Sequence, residues 1–145
     1  MREKILVVDD DPLVLRTLEH LLTHEGYSVM TAVSGPEAIQ KAEAKNYRLV
    51  IMDMRMPGMD GIETAERIKS LYAEKRTETR FIFVTGFAED DVPQHAHRLG
   101  IAEVLLKPLD INHLLPLVRT SLSGEIKHTE MIPPSFTPPA VAFSS

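Results

Sequence analysis

The chain has no cysteine, which excludes disulfides and thiolate metal sites and fits a reducing compartment. It has no apolar run near the roughly 20 residues needed to cross a bilayer. Met1-Arg2-Glu3-Lys4 leads directly into a short apolar run, so no signal peptide is expected and a cytoplasmic location is the default. Basic residues are not in excess either. The 16 Lys and Arg stand against 21 Asp and Glu, a net charge of -5, which argues against nucleic acid binding and suits a cation site. A glycine-rich phosphate loop and an internal repeat are both missing. What remains, 145 residues that are 43% hydrophobic, is enough for one α/β domain with a real core and too little for two.

Against these absences stands one pattern. Four apolar runs end on reactive residues: Ile5 to Val8 on Asp9-Asp10, Leu49 to Met52 on Asp53, Phe81 to Val84 on Thr85, and Val104 to Leu106 on Lys107-Pro108. Short aliphatic and β-branched runs alternating with helix-length segments read as buried parallel strands. In open α/β sheets, chemistry gathers at the carboxyl ends of such strands. Three carboxylates, one hydroxyl and one ammonium are therefore expected to share a pocket.

The segments between carry helix signals. Asp11 can cap a helix that begins at Pro12 and runs to about Glu25, with Leu13, Leu15, Leu18, Leu21 and Leu22 as its apolar stripe. A strand over Tyr27 to Ala32 is followed by Ser34 and Glu37, a capping-box spacing that opens a helix through about Ala44. Asp60 and Glu63 repeat that spacing before a helix through about Tyr72. After Thr85-Gly86, Asp90 or Asp91 can cap a short helix with Pro93 in its first turn. The last helix is expected from near Asp110 to Ser123-Gly124, with Pro116 inside it removing a bond to the Asn112 carbonyl and kinking it. Residues 123–145 change character. Pro133, Pro134, Pro138 and Pro139 fall among Met131, Ile132, Phe136, Val141 and Phe143, a proline-rich tail or cut linker more apolar than a flexible one. Contact with the last helix or with a neighbouring molecule is expected of it, since extended proline-rich chain has little entropy to lose in a groove.

Residues 1–122 resemble the receiver domain of two-component response regulators. The resemblance is carried by the acidic pair in Ile5-Leu6-Val7-Val8-Asp9-Asp10-Asp11-Pro12, by Asp53 in Val50-Ile51-Met52-Asp53-Met54-Arg55-Met56-Pro57-Gly58-Met59-Asp60-Gly61, by Thr85 and by Lys107-Pro108. All of these in order at strand ends are a strong signal where one would be weak. The resemblance implies a flavodoxin-like, doubly wound, five-stranded parallel sheet of order 2-1-3-4-5 with five helices, and a site at the switch point beside the first strand. It implies that Asp53 accepts a phosphoryl group from a sensor histidine kinase or a histidine phosphotransfer protein. Asp10 and Asp53 would then bind Mg²⁺ directly, Asp9 through water, and the Arg55 carbonyl would complete the protein ligands. A cis Lys107-Pro108 peptide is implied as well. The module would be a switch for a downstream effector that the sequence does not name, catalysing only its own phosphorylation and dephosphorylation. A homodimer is one assembly the resemblance admits.

The residues support that chemistry independently. A carboxylate is a competent phosphoryl nucleophile. Three packed carboxylates repel unless a cation sits among them, and Mg²⁺ suits oxygen ligands shared with a phosphoryl group. The Lys107 ammonium can stabilise charge on the equatorial oxygens of a loose transition state, and the Thr85 hydroxyl can donate to a phosphoryl oxygen once one is present. Taken singly, Thr85 reads as an ordinary strand residue and Lys107 as a solvated lysine; their weight is joint. Asp11 and Asp60 are assigned to caps, and His95 and His97, two apart on a helix, to surface roles. Two alternatives stand beside this reading. One is a haloacid-dehalogenase-like phosphatase with Asp9 as nucleophile, against which Asp11-Pro12-Leu13 departs from that motif and Asp53 is left idle. The other is a non-phosphorylated interaction module, against which every acceptor, metal, hydroxyl and lysine residue is present. Two departures from the receiver pattern also matter. Val104 stands where many receivers carry a switching aromatic, and Pro116 reshapes a surface commonly used to dimerise.

Overall fold

The computed structural model describes residues 2–86 and 103–123. Five strands, β1 (Lys4–Val8), β2 (Ser28–Ala32), β3 (Leu49–Asp53), β4 (Arg80–Thr85) and β5 (Glu103–Leu106), form one sheet of order β2-β1-β3-β4-β5 with every pairing parallel. Four helices lie among the described residues: α1 (Pro12–His24), α2 (Gly35–Ala44), α3 (Gly61–Glu74) and α4 (Ile111–Ser123). The architecture is flavodoxin-like, with the strand order that the family resemblance implies. The helix expected after Thr85, with Asp90, Asp91, Pro93, His95 and His97, lies outside the described residues. So do Phe87 and the tail from residue 124.

The alternation of side chains along a strand divides the core into two layers. Leu6, Val8, Val50, Met52, Phe81 and Phe83 point to one face, against Ala38 and Ala42 of α2 and Ala65, Ile68 and Tyr72 of α3. Ile5, Val7, Leu49, Ile51, Ile82 and Val84 point to the other, against Leu15, Leu18 and Leu22 of α1 and Leu114, Val118 and Leu122 of α4. Both faces of the central strands are covered, which is why their sequences are continuously apolar rather than alternating. The edge strands are less apolar because only part of each is enclosed.

Local signals set the helix starts. Asp11 accepts from the Leu13 N–H at 3.0 Å with Pro12 next in line, and Asp60 accepts from the Glu63 N–H at 2.9 Å. Ser34 accepts from the Glu37 N–H at 3.2 Å, while the Glu37 carboxylate reaches back to the Val33 N–H at 2.7 Å. Glu63 makes no such return and instead faces Arg67 one turn on at 3.3 Å, so the second capping box is only half formed. Leu13 also departs from expectation: it is 63% exposed, whereas Leu15, Leu18 and Leu22 are buried. At about 100° per residue it sits roughly 200° around the helix from Leu15, off the stripe. The helix of α4 continues through Pro116, whose carbonyl accepts from the Thr120 hydroxyl at 2.8 Å.

Candidate functional site

Three consecutive acids leave β1 and take three different positions. Asp9 turns inward and is 3% exposed, its Oδ1 accepting from the Asp11 N–H at 2.9 Å while its own N–H donates to the Ala32 carbonyl at 3.1 Å. Asp10 is exposed, and Asp11 is spent on the α1 cap. Asp53 is the last residue of β3 and is 5% exposed; its Oδ1 accepts from the Arg55 N–H at 3.1 Å. Carboxylate oxygens of Asp9, Asp10 and Asp53 lie within 4.8 Å of one another. Residues far apart in sequence are thus gathered at one sheet end because β1 and β3 are neighbours, Val8 facing Met52 one step before the acids.

Lys107 closes the cluster from the opposite side. Its Nζ lies 3.2 Å from Asp53 Oδ2 and 3.3 Å from Asp9 Oδ2. Its N–H donates to the Thr85 carbonyl at 2.7 Å and its peptide to Pro108 is cis, as expected. Thr85, 1% exposed, follows Val84, the register partner of Asp53, so its side chain belongs to the same sheet end. Arg55 is exposed and touches the cluster through its N–H.

The electrostatics follow from burial and spacing. Loss of water raises the Asp9 pKa, and the charge of Asp53 pushes the same way; the Asp11 N–H and Lys107 pull against them without cancelling the rise. Burial would lower the Lys107 pKa, but hydrogen bonding and attraction to Asp53, then to Asp9, outweigh it and raise it. Three carboxylates against one ammonium leave a formal charge of about -2 when all are ionised, in a pocket whose donor atoms for a cation, among the described residues, are oxygens. That donor set and charge fit a hard divalent cation. Once such a charge is balanced, the ammonium is free to face an anion placed beside Asp53.

One contributor is not apparent from motif reading. Gly61 opens α3, and its N–H donates to the Met54 carbonyl at 3.0 Å. A Cβ at Gly61 would run into the Asp53 carbonyl oxygen and lie 2.9 Å from Met54 Cα. The residue is glycine because α3 starts against the backbone that carries Asp53. A glycine at a first helical position, where most other residues form helix better, is the sequence signal that marks such a close approach.

The response regulator receiver domain family matches residues 5–119. Sporulation initiation phosphotransferase F of Bacillus subtilis is 34% identical over 122 residues, which are 84% of this chain and 95% of that protein. The transcriptional regulatory protein CrdR of Helicobacter pylori is 31% identical over 114 residues, 79% of this chain. The match covers 52% of CrdR, so the chain spans about half the length of that relative. Among solved structures, a CheY-like receiver domain protein from Methanospirillum hungatei superposes with a TM-score of 0.78 at 28% identity, over 85% of this chain and 95% of that one. The response regulator TrrA of Thermotoga maritima, solved in complex with Mg(2+)-BeF, gives 0.72 at 32% identity, over 83% and 99%. Strand order, the ends of four strands and the extent of these matches converge, and the chain belongs to the response regulator receiver domain family.

Proposed function

We propose that the protein is the phosphoacceptor receiver of a two-component system, with residues 1–122 as the receiver module and residues 123–145 as a separate tail. Asp53 is the acceptor. One of its oxygens attacks the phosphorus of a phosphohistidine on a sensor histidine kinase or histidine phosphotransfer protein; the P–O bond forms as the P–N bond breaks, and the imidazole leaves with the electron pair. The observation that carries this reading is the Lys107 ammonium held 3.2 Å from one buried carboxylate and 3.3 Å from another, with a third acid beside them. Asp9, Asp10, Asp53 and the Arg55 carbonyl are the groups that would hold Mg²⁺. When bound, that ion would neutralise charge accumulating on the phosphoryl oxygens. Lys107 offers its ammonium to an oxygen of the same group, exchanging its Asp53 contact for one with the phosphoryl. Thr85 donates its hydroxyl to another, and the resulting pull on the Gly86 loop alters the surface read by a downstream effector. The module acts on itself and needs no turnover substrate. The partners are a phosphohistidine donor and a downstream effector, and the reaction takes place in the cytoplasm.

Asp9 and Asp53 are hydrogen-bonded alike, each accepting from one backbone N–H and from Lys107; what weighs against Asp9 as nucleophile is that it would leave the buried Asp53 without a role. Intact-mass analysis after incubation with acetyl phosphate and Mg²⁺ tests the assignment. The parent chain should gain one phosphoryl group and Asp53→Asn none. Uptake by Asp53→Asn would sink the proposal, and loss of uptake in Asp9→Asn alone would favour the phosphatase.

A further inference from the structure

At the amino end of the sheet, opposite the acidic cluster, the strand starts border a second concavity. It has a volume of about 550 Å³ and is lined by Arg2, Glu3, Lys4, Ser28, Asn46 and Arg48. Lys4 opens β1 and Asp9 follows its end, so the two regions stand about 16 Å apart at roughly 3.3 Å per strand residue. Three cations against one acid leave this concavity a formal charge of +2, in a chain whose net charge is -5. The two ends of the sheet therefore carry opposite charge, and the phosphoacceptor chemistry uses only the acidic one.

We propose that this concavity binds a small organic phosphate. Its walls are fixed by the sheet: the Ser28 N–H donates to the Glu3 carbonyl at 2.9 Å and the Arg48 N–H to the Lys4 carbonyl at 3.0 Å, which holds the starts of β2, β1 and β3 side by side. Arg48 Nη1 lies 3.5 Å from Glu3 Oε1, with 42% and 39% of the two side chains exposed. A pair so open to water contributes little, so the guanidinium can exchange it for a phosphate and present two N–H groups at once. Arg2 and Lys4 are exposed and form no ion pair among the described residues. The Ser28 hydroxyl and the Asn46 amide are neutral donors on the same wall. A formal charge of +2 complements a phosphate monoester, which carries about -1.5 to -2 at pH 7. The space is larger than a bare phosphate fills and falls within the range of small-molecule sites, which leaves room for the organic part. This inference goes beyond the phosphoacceptor reading and stands without it, since the concavity shares no residue with the acidic cluster.

Titrating the full chain with glycerol 3-phosphate tests the proposal, in Mg²⁺-free buffer at an ionic strength held constant with chloride. Amide signals of Lys4, Ser28 and Arg48 should shift and saturate, while those of Asp9, Asp53 and Lys107 stay in place; glycerol alone should move none of them. Arg2→Gln with Lys4→Gln, both substitutions on the surface, should weaken binding about tenfold with the rest of the spectrum retained, as the loss of two charge-assisted contacts implies. Arg48→Gln should weaken it as well. Shifts that do not saturate, shifts that glycerol reproduces, shifts centred on Asp9, Asp53 and Lys107, or a double variant that binds as tightly as the parent would each overturn the proposal.

Discussion

Replacing Gly61 by alanine sets two effects of similar size against each other, and the structure decides the sign. Helix propensity favours alanine by up to about 1 kcal/mol. Sterics oppose it, because the new Cβ would overlap the Asp53 carbonyl oxygen and lie 2.9 Å from Met54 Cα, where unstrained carbon atoms keep about 3.5–4.0 Å. The obstacle is backbone that cannot retreat: β3 is flanked by β1 and β4, and Met54 donates to the Val84 carbonyl at 2.9 Å. Lifting the start of α3 instead would stretch the Gly61 to Met54 bond, worth about 1 kcal/mol, and overpacking of this kind costs typically 1–3 kcal/mol. Gly61→Ala should therefore destabilise the protein by about 1–3 kcal/mol, read as a lowered urea midpoint at unchanged m. Phosphate uptake per folded molecule should fall as well, since the strain is delivered at Asp53, the proposed acceptor. A Gly61→Ala protein as stable as its parent would refute the close-approach argument.

Three further outcomes are expected. Without Mg²⁺, the raised Asp9 pKa means that the folded state holds this proton more tightly than the unfolded state; the contribution of Asp9 is best below the ordinary carboxylate pKa and declines as pH rises through the folded value. Asp9→Asn should thus gain stability relative to the parent between about pH 4 and 7, with the gain shrinking when Mg²⁺ is added, as urea titrations at both pH values would reveal; a pH-independent difference contradicts it. Arg55 and Phe87 stand two residues beyond Asp53 and Thr85, and their bulk should slow attack by water on the phosphorylated form. Arg55→Asn with Phe87→Ala should then lose phosphate faster than the parent, and an equal or longer lifetime would dismiss the crowding idea. Finally, Val104 is too small to swing as a ring would and already packs against the core, so beryllofluoride with Mg²⁺ should move amide signals mainly from Gly86 to His97. Changes centred on Val104 and α4 with that segment silent would show that the signal leaves by another route.

The sheet was legible because burial on both faces forces continuous apolar runs, and their short length and β-branched content separate them from buried helix segments. The caps at Asp11, Ser34 and Asp60 could be read because each side chain answers to a donor two or three residues away. Distances of that kind are local. What the sequence concealed depends on which backbone meets which: Gly61 looks like part of a turn until α3 is laid against Asp53, and Leu13 looks like core until the rotation of α1 on the sheet is fixed.

The site divides in the same way. Motif order places Asp9, Asp53, Thr85 and Lys107 at one end of the sheet, but it does not state which of them touch. Lys107 leaves β5, and its ammonium reaches both Asp53 on β3 and Asp9 beyond β1, with β4 lying between. Neighbouring strands are about 4.8 Å apart, so β5 and β1 differ by roughly 14 Å along a flat sheet. Sheet twist and inward bending of the loops must shorten that gap to what a four-carbon stem can span. A short donor at position 107 could not bridge the two acids. The length of lysine is therefore part of the reason for its presence, and Lys107→Ala should leave Asp9 and Asp53 as close, buried like charges that have lost the ammonium paired with both of them. In Mg²⁺-free buffer that variant should unfold at lower urea than the parent, and Mg²⁺ should stabilise it by more than it stabilises the parent. Equal Mg²⁺ increments in the two proteins would mean that the ammonium and the cation do not share the same pair of carboxylates.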